Sequence, residues 1–343
     1  MNISIIIPTY NRARLIQRAI TSALNQMRKG DELIVVDDGS TDNTKKSLKP
    51  LQDKIKYIYY QKNAGAGVAR NIGIKKAKGD LIAFLDSDDE WIDGKLDLQR
   101  ALFKNCPELF YAFSNFSITR KNGGIVKSYL KQWHQDKRGW DEILGKGEYY
   151  SSINPLPEKT DDFKVYFGNL YYNLAKAPYI CTDTLVVRNR GAGKDWFFDE
   201  DLSIYEDWGC YGRIAGVGQG AYMDIDLSWQ HDHKGNRMTS CTSTPEKYKA
   251  RMKVLDRVWG QNQQFLEKHK TYYSNIIKLV QIKSLIESIK EGEIKEARNL
   301  IRVLYHKRNL MLKLLIYMPS FIVRIVHSVH LKIIKFREIV FEN

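Results

Sequence analysis

The segment FLDSDDEW, residues 84–91, brings together acidic side chains that could bind a metal ion. Asp86, Asp88, Asp89 and Glu90 lie within five positions, directly after an apolar run that is typical of a buried strand. Like charges at this spacing repel each other, so a positive group must lie beside them. A divalent cation, Mg²⁺ or Mn²⁺, suits this role, because one or two carboxylates bind it while water and substrate phosphates complete its coordination.

Two other kinds of acidic site fit these residues less well. An EF-hand loop needs a glycine and a distal glutamate at fixed positions between two helices, and here a strand precedes the acids. A phosphoacceptor receiver domain would carry paired acids after its first strand, where this chain has PTYNR at 8–12. Both alternatives are therefore disfavoured.

Short apolar runs rich in β-branched residues predict strands that helices cover on both faces. The predicted strands are ISIIIP at 3–8, ELIVVDD at 32–38, IKYIYY at 55–60 and LIAFLD at 81–86. Between them, RLIQRAITSALNQM at 14–27 and GAGVARNIGIKKAKG at 65–79 have helical patterns. This alternation predicts an α/β fold with a doubly wound, mostly parallel sheet, whose ligands bind beyond the carboxyl ends of the strands.

Two further motifs stand at predicted strand ends. In IVVDDGSTDNT, residues 34–44, Asp38 could accept a hydrogen bond from a base or ribose or could hold the turn, and Asp42 could cap the next helix. In QKNAGAGVARNIG, residues 61–73, glycines could let the backbone approach a phosphate, and Arg70 follows on the helix. That glycine pattern also arises from close packing, and it matches neither a P-loop nor a GxGxxG motif.

Taken in order, IIIPTYNR, VVDDGSTDNT, NAGAGVARNIGI and FLDSDDEW resemble the donor-binding half of family 2 glycosyltransferases with the GT-A fold. With the downstream motifs, the resemblance covers roughly residues 3–240. It implies a nucleotide-diphosphate sugar donor, in the first place a uridine one, and Mn²⁺ or Mg²⁺ as cofactor. It implies nucleotide contacts by Pro8, Tyr10, Arg12, Asp38, Asn63, Arg70 and Asp86.

The same resemblance separates the acids of the opening segment. Asp86 and Asp88 correspond to the DxD motif of the family, in which Asp86 contacts the ribose and Asp88 binds the metal. Asp89 and Glu90 fall beyond that motif and are interpreted as surface acids that begin the next helix.

FDEDLSIYEDWGCYGRIAG, residues 198–216, resembles the Glu-Asp element of the family at the start of a helix, followed by Arg213. The resemblance implies that Asp207 is the general base for the acceptor hydroxyl and that Glu206 orients the acceptor or Asp207 itself. Glu206 could instead be a helix N-terminal acid without a chemical role. Three earlier acids remain alternatives for the base: Asp199, Glu200 and Asp201.

LSWQHDHKGNRMTS, residues 227–240, resembles a segment where the family often has a histidine and a basic loop over the diphosphate. His231 and His233 point the same way if the segment is extended. His233 is the predicted further metal or phosphate contact and Arg237 the predicted diphosphate contact. Both histidines could alternatively be surface or packing residues.

Composition limits the class of protein. The chain has 343 residues with a formal net charge of +14, which favours a polyanionic partner. Its four cysteines lack metal-site spacing and predict free thiols in a reducing compartment. We expect no signal peptide and no transmembrane helix, because no apolar run reaches the roughly 18–20 residues that a span needs.

Helix-forming residues dominate after the N-cap signal STPE at 243–246. The predicted organisation is a catalytic domain at 1–240 and a helical region at 241–343. Within the catalytic domain, the nucleotide-binding half covers about 1–100 and the acceptor half about 101–240.

The basic C-terminal tail, residues 300–343, carries eight Lys or Arg against two Glu among apolar residues, interrupted by Pro319. This pattern predicts amphipathic helices in the interface of an anionic membrane, and hence a cytoplasmic protein at the inner face of the cell membrane. The tail could instead pack against its own chain or against a second copy in a homo-oligomer. No nucleic-acid partner is expected, because no docking element with a basic or aromatic stripe is present.

These motifs predict an inverting, metal-dependent sugar transfer to a glycan or lipid-linked acceptor in surface polysaccharide synthesis. One alternative is a binding module of the same fold that has lost turnover. A sugar-phosphate nucleotidylyltransferase is a second alternative, but it would need a glycine-rich basic loop where this chain has PTYNRARL at 8–15.

Overall fold

The computed structural model describes residues 1–231 and 242–305. The chain divides into two compact units, Met1–Gly235 and Asn236–Asn343. The first is built on one mixed β-sheet with flanking helices, and the described part of the second is helical. The predicted α/β sheet with a helical C-terminal region is therefore confirmed.

The sheet of the first unit contains parallel and antiparallel strands. Its strands are β1 (Ile3–Thr9), β2 (Glu32–Asp37), β3 (Lys56–Tyr59), β4 (Leu81–Phe84), β5 (Glu90–Trp91), β6 (Leu109–Thr119), β7 (Ile125–Val126), β8 (Gly147–Tyr149), β9 (Lys164–Gly168), β10 (Val186–Arg188) and β11 (Gln219–Gln230). The order across the sheet is β3-β2-β1-β4-β10-β6-β11-β9-β8, with β5 paired to β11 and β7 to β6. β3, β2, β1 and β4 are parallel, and β10 runs antiparallel to β4 and β6.

Helices cover the two faces of this sheet. They are α1 (Ile16–Leu24), α2 (Thr44–Leu48), α3 (Ala66–Lys76), α4 (Lys95–Asn105), α5 (Leu130–His134), α6 (Trp140–Ile143), α7 (Tyr171–Leu174) and α8 (Glu206–Val217). In β2, Leu33 and Val35 pack in the core that contains α1 and α4, whereas Ile34 and Val36 pack with Ala69 of α3. Because alternate strand residues point to opposite faces, α1 and α3 lie on opposite sides of the sheet.

The predicted strands and helices of the first ninety residues agree with the structure to within a few residues at each end. β1 is buried along its whole length, as expected for a parallel strand between two helical layers. Ile16, Ala19, Ile20 and Ala23 form the buried stripe of α1. The carboxyl ends of β1, β2 and β4 consequently meet at one edge of the sheet, where the predicted motifs lie.

The second unit contains α9 (Thr244–Leu255), α10 (Gln263–Glu291) and α11 (Ile294–Tyr305). Ser243 caps α9 in a capping box with Glu246, as its sequence signal predicts. Within residues 1–231 and 242–305, no helix combines the length and apolarity needed to cross a bilayer.

Candidate active site

The predicted nucleotide contacts lie at the carboxyl ends of the parallel strands. Pro8 is buried near the end of β1 opposite Val36, whereas Tyr10, just beyond β1, is exposed. Asn63 is exposed in the loop between β3 and α3. These residues line one edge of the sheet, and their contacts with a nucleotide remain predictions.

Asp38 holds the loop that precedes α3. Its carboxylate accepts hydrogen bonds from the N–H of Ala64 at 3.0 Å and of Gly65 at 2.7 Å. Burial raises the pKa of this carboxyl. The turn-holding role is therefore observed, and contact with a base remains a prediction. Asp42 lies one residue before Asn43, the N-cap of α2, and its Oδ1 accepts the N–H of Thr44 at 2.9 Å, a local turn contact.

Arg70 joins two acidic motifs that lie far apart in the sequence. Its guanidinium is buried, with Nη2 at 2.7 Å from Oδ1 of Asp86 and Nη1 at 3.2 Å from Oε1 of Glu206. Burial alone would lower the pKa of Arg70, but the two carboxylates hold it above its ordinary value. The side chain on α3 thus connects the acids after β4 to the first turn of α8.

Close packing brings α3 against the segment that leads into α8. A Cβ atom at Gly67 would lie 3.1 Å from Cγ of Glu206 and 3.2 Å from the carbonyl oxygen of Asp199. Asn71 donates to the carbonyl oxygen of Phe198 at 2.8 Å and accepts its N–H at 3.0 Å. Gly67 therefore lets α3 pack closely against Glu206 and Asp199. This agrees with the interpretation that the glycines of residues 61–73 serve close packing.

Three carboxylates could hold a cation: Asp86, Asp89 and Asp183, whose oxygens lie within 4.8 Å of one another. Asp183 comes from the short 3₁₀ turn Thr182–Thr184, and its Oδ1 accepts the N–H of Asp86 at 2.7 Å. Burial, together with the charge of neighbouring acids, raises the pKa of Asp183 to about 7 and that of Asp89 well above its ordinary value. Crowded carboxylate oxygens of this kind fit a hard divalent cation, which would offset their repulsion.

The interpretation of Asp89 and Glu90 as surface acids at a helix start was wrong. Asp89 is buried, and its Oδ1 accepts the N–H of His231 at 3.0 Å. Glu90 lies in β5, and its Oε1 is 3.0 Å from Nε2 of His231. The next helix begins only at Lys95, because β5 first pairs with β11.

Arginines provide part of the positive charge that the acids require. Nε of Arg12 lies 3.6 Å from Oδ2 of Asp88. Arg18 on α1 donates to the carbonyl oxygen of Asp88, and its Nε is 3.9 Å from Oε2 of Glu90. Asp88 as a metal ligand remains a prediction. His233 and Arg237, the other predicted contacts, lie outside the described residues.

The predicted base, Asp207, lies in the first turn of α8. Its Oδ1 accepts the N–H of Trp208 at 2.7 Å, and the hydroxyl of Tyr211 donates to its Oδ2 at 3.4 Å. Burial raises the pKa of Asp207, and burial together with the charge of Asp207 raises that of Glu206 to about 7. An upward shift of the pKa makes a carboxylate a stronger base, which suits a group that accepts a proton.

The earlier acids have structural partners. Asp199 is buried in a two-point ion pair with Arg213, with N to O distances of 2.9 and 3.0 Å. Glu200 accepts a hydrogen bond from Asn71 at 3.0 Å. These contacts fix the segment before α8, so they favour Asp207 over Asp199 and Glu200 as the base.

Sequence reasoning missed Asp183 and Tyr211. Asp183 stands two residues before the apolar run LVV at 185–187, so a carboxylate shortly before a predicted buried strand was the available signal. Tyr211 follows Asp207 by four positions, which places both on one face of a helix. Neither signal alone identifies a site.

Comparison with known proteins gives a family match. Residues 4–167 match the family model described as Glycosyl transferase family 2. The putative teichuronic acid biosynthesis glycosyltransferase TuaG of Bacillus subtilis is 36% identical over 133 residues, which cover 37% of this chain and 52% of that protein. The UDP-Glc:alpha-D-GlcNAc-diphosphoundecaprenol beta-1,3-glucosyltransferase WfgD of Escherichia coli is 40% identical over 132 residues, 38% of this chain and 51% of that protein.

A GalNAc(5)-diNAcBac-PP-undecaprenol beta-1,3-glucosyltransferase of Campylobacter jejuni is 40% identical over 188 residues, 51% of this chain and 60% of that protein. The chain thus spans about half the length of the curated relatives it matches. Among solved structures, S. aureus TarS 1–349 in complex with UDP-GlcNAc superposes with a TM-score of 0.57 and 19% identity. That alignment covers 89% of this chain and 82% of TarS 1–349, and it confirms the predicted GT-A fold.

The raised pKa of Glu206 predicts a pH dependence of stability. Because its pKa lies at about 7 in the folded chain and at an ordinary 4.5 when unfolded, the folded state holds the proton more tightly. The contribution of Glu206 to the free energy of unfolding should therefore fall by about 3 kcal/mol as pH rises from 4.5 to 7. Glu206→Gln should flatten this slope in urea titrations at several pH values. Glu158→Gln, which removes an exposed carboxylate, is the control; equal slopes in the two variants would contradict the assignment.

Proposed function

Because residues 4–167 match the family model described as Glycosyl transferase family 2, we propose that the chain transfers a sugar from a nucleotide-diphosphate donor to an acceptor hydroxyl. A UDP sugar is the favoured donor, since the similar TarS fold has been crystallised with UDP-GlcNAc. The favoured acceptor is a glycan or lipid-linked oligosaccharide of surface polysaccharide synthesis. The names of WfgD and of the Campylobacter enzyme, which specify undecaprenol-linked substrates, support this choice.

One observation carries the proposal: Arg70 bonds both Asp86 and Glu206. This contact supports the proposal, because it joins Asp86, a candidate for cation and diphosphate binding, to Glu206, the neighbour of the candidate base. Asp86 is 31% exposed, so a ligand at the sheet edge can still reach it. A sugar transferase needs these two functions side by side, because the leaving diphosphate and the attacking hydroxyl meet at one carbon.

The proposed reaction is a single displacement. Asp207 takes the proton of the acceptor hydroxyl, and the oxygen attacks the anomeric carbon from the face opposite the diphosphate. The bond from that carbon to the diphosphate oxygen breaks, so the configuration inverts without a covalent enzyme intermediate. Glu206, held by Arg70, orients Asp207 or the acceptor.

The acidic residues would hold Mn²⁺ or Mg²⁺ through Asp86, Asp89 and Asp183, joined by Asp88 from the DxD motif. The donor set consists of carboxylate oxygens, which matches the preference of these ions. When bound, the cation supplies positive charge to the leaving diphosphate. Arg12 adds a fixed positive charge beside Asp88.

Asp207→Asn tests the base. The amide cannot accept the proton, so hydrolysis of UDP-glucose or UDP-GlcNAc, measured as released UDP, should fall by about 10²–10⁴-fold. Binding of UDP in a thermal-shift titration should stay unchanged. Asp201→Asn, an exposed acid in the preceding segment, should keep wild-type turnover. Full activity of Asp207→Asn would remove it as the base, and UDP binding without any turnover by the wild type would favour a binding module.

Asp183→Asn tests the cation site. Loss of one of three crowded carboxylates should raise the Mn²⁺ concentration for half-maximal binding by about tenfold or more, measured by Mn²⁺ electron paramagnetic resonance with UDP present. Asp93→Asn removes an exposed acid close by in the sequence and should leave the titration unchanged. Identical Mn²⁺ affinity in both variants would exclude Asp183 as a ligand.

The predicted membrane contact of the basic C-terminal tail, residues 300–343, is tested by mutation. The residues of this tail after Tyr305 lie outside the described part of the chain. If the tail binds an anionic membrane, replacing Lys332, Lys335 and Arg337 by Gln should lower the affinity for phosphatidylserine vesicles by about 100-fold, at roughly 1 kcal/mol per charge. Sedimentation with the vesicles measures this affinity. Replacing the exposed Lys45, Lys46 and Lys49 by Gln changes the net charge equally and is the control. Equal loss in both variants would contradict a specific role of the tail and support only a general effect of net charge.

A further inference from the structure

Two buried hydroxyl groups form a hydrogen-bonded chain that ends on Asp207. Oη of Tyr211 lies 2.6 Å from Oγ1 of Thr182 and 3.4 Å from Oδ2 of Asp207. Both Tyr211 and Thr182 are buried. An ionised carboxylate only accepts hydrogen bonds, so the proton of Tyr211 must point to Asp207, and Thr182 must donate to the oxygen of Tyr211.

The turn that carries Thr182 is fixed by its own backbone contacts. The carbonyl oxygen of Thr184 accepts Nζ of Lys95 and Nε2 of Gln99, each at 2.9 Å. The carbonyl oxygen of Asp183 accepts Nε1 of Trp91 at 2.7 Å. Thr182 therefore reaches Tyr211 from a rigid element, which is what a preorganised contact requires.

We propose that Tyr211 is a positioning residue for Asp207 and that Thr182 sets the direction of its hydroxyl. This proposal rests on the proposed role of Asp207 as the base. The N–H of Trp208 holds Oδ1 of Asp207, and Tyr211 holds Oδ2, so both carboxylate oxygens are anchored. Neither hydroxyl needs to touch the donor or the acceptor.

The anchoring also affects when Asp207 is ionised. The charged and titratable groups that face it are Arg70 on α3, Asp86 after β4, and Glu206, Cys210 and Tyr211 on α8. Among these, Asp86 disfavours the ionised form, whereas Arg70 and the hydrogen bond of Tyr211 favour it. Removing the hydroxyl should therefore raise the pKa of Asp207, and activity should appear only at higher pH.

Tyr211→Phe is the test, with donor hydrolysis measured from pH 5 to 9 on whichever of UDP-glucose and UDP-GlcNAc the wild type uses faster. We expect kcat to fall roughly tenfold to a hundredfold, the KM for the donor to change little, and the acid limb of the profile to move to higher pH. Tyr222→Phe is the matched control, since that buried hydroxyl donates to Asp224 at 2.8 Å. It should reduce thermal stability without moving the pH profile.

Thr182→Val is the second variant and keeps the test valid if Tyr211→Phe folds poorly. It should move the acid limb in the same direction by less, and the double variant should be no slower than Tyr211→Phe, because the two hydroxyls act in series. An unmoved acid limb in both single variants, or independent effects that multiply, would overturn the proposal. If Asp207→Asn is inactive while Tyr211→Phe behaves as wild type, only this inference fails; an active Asp207→Asn refutes the base assignment itself.

Discussion

The buried ion pairs of Arg70 are the interaction on which the arrangement of the site depends. A guanidinium in the interior is costly unless carboxylates satisfy it, and here Asp86 and Glu206 do so from two different parts of the chain. α3 can bring the arginine there only because Gly67 allows contact with Glu206 and because Asn71 binds the backbone of Phe198. The Arg70 side chain and the packing of α3 thus hold the end of β4 close to the start of α8.

The 3₁₀ turn Thr182–Thr184 makes a second connection between the same two regions. Asp183 accepts the N–H of Asp86, and Thr182 is hydrogen-bonded to Tyr211 on α8. Lys95 and Gln99 on α4 donate to the carbonyl oxygen of Thr184, so α4 and α8 both contact this turn. The acids suited to a cation and the acid suited to proton transfer are therefore built on the same rigid support, which limits changes in the distance between them.

Local sequence patterns predicted what depends on local structure. Continuous apolar runs and helical stripes located β1, α1 and α3, and the rule that ligands bind at strand ends placed Asp38 and Asp86 correctly at one edge of the sheet. Glu90 was misassigned because its strand pairs with β11, far along the chain, and a short acidic segment carries no sign of that partner. Asp183 was missed for the same reason: an isolated aspartate becomes part of an acidic group only through long-range contacts. Asp207 was found through resemblance, since its motif has no distinctive spacing of its own.

The ionisation of Asp207 shows how these connections act together. Burial raises the pKa of this carboxyl, and the charge of Asp86 adds to that effect. Arg70, the N–H of Trp208 and the hydroxyl of Tyr211 oppose it. A carboxylate that was only exposed would be a weak base, and one that was only buried would stay protonated and could not act at all. Burial thus holds the pKa above its ordinary value, while the opposing contacts stabilise the ionised form, so the packing that assembles the site also sets the basicity that the proposed reaction needs.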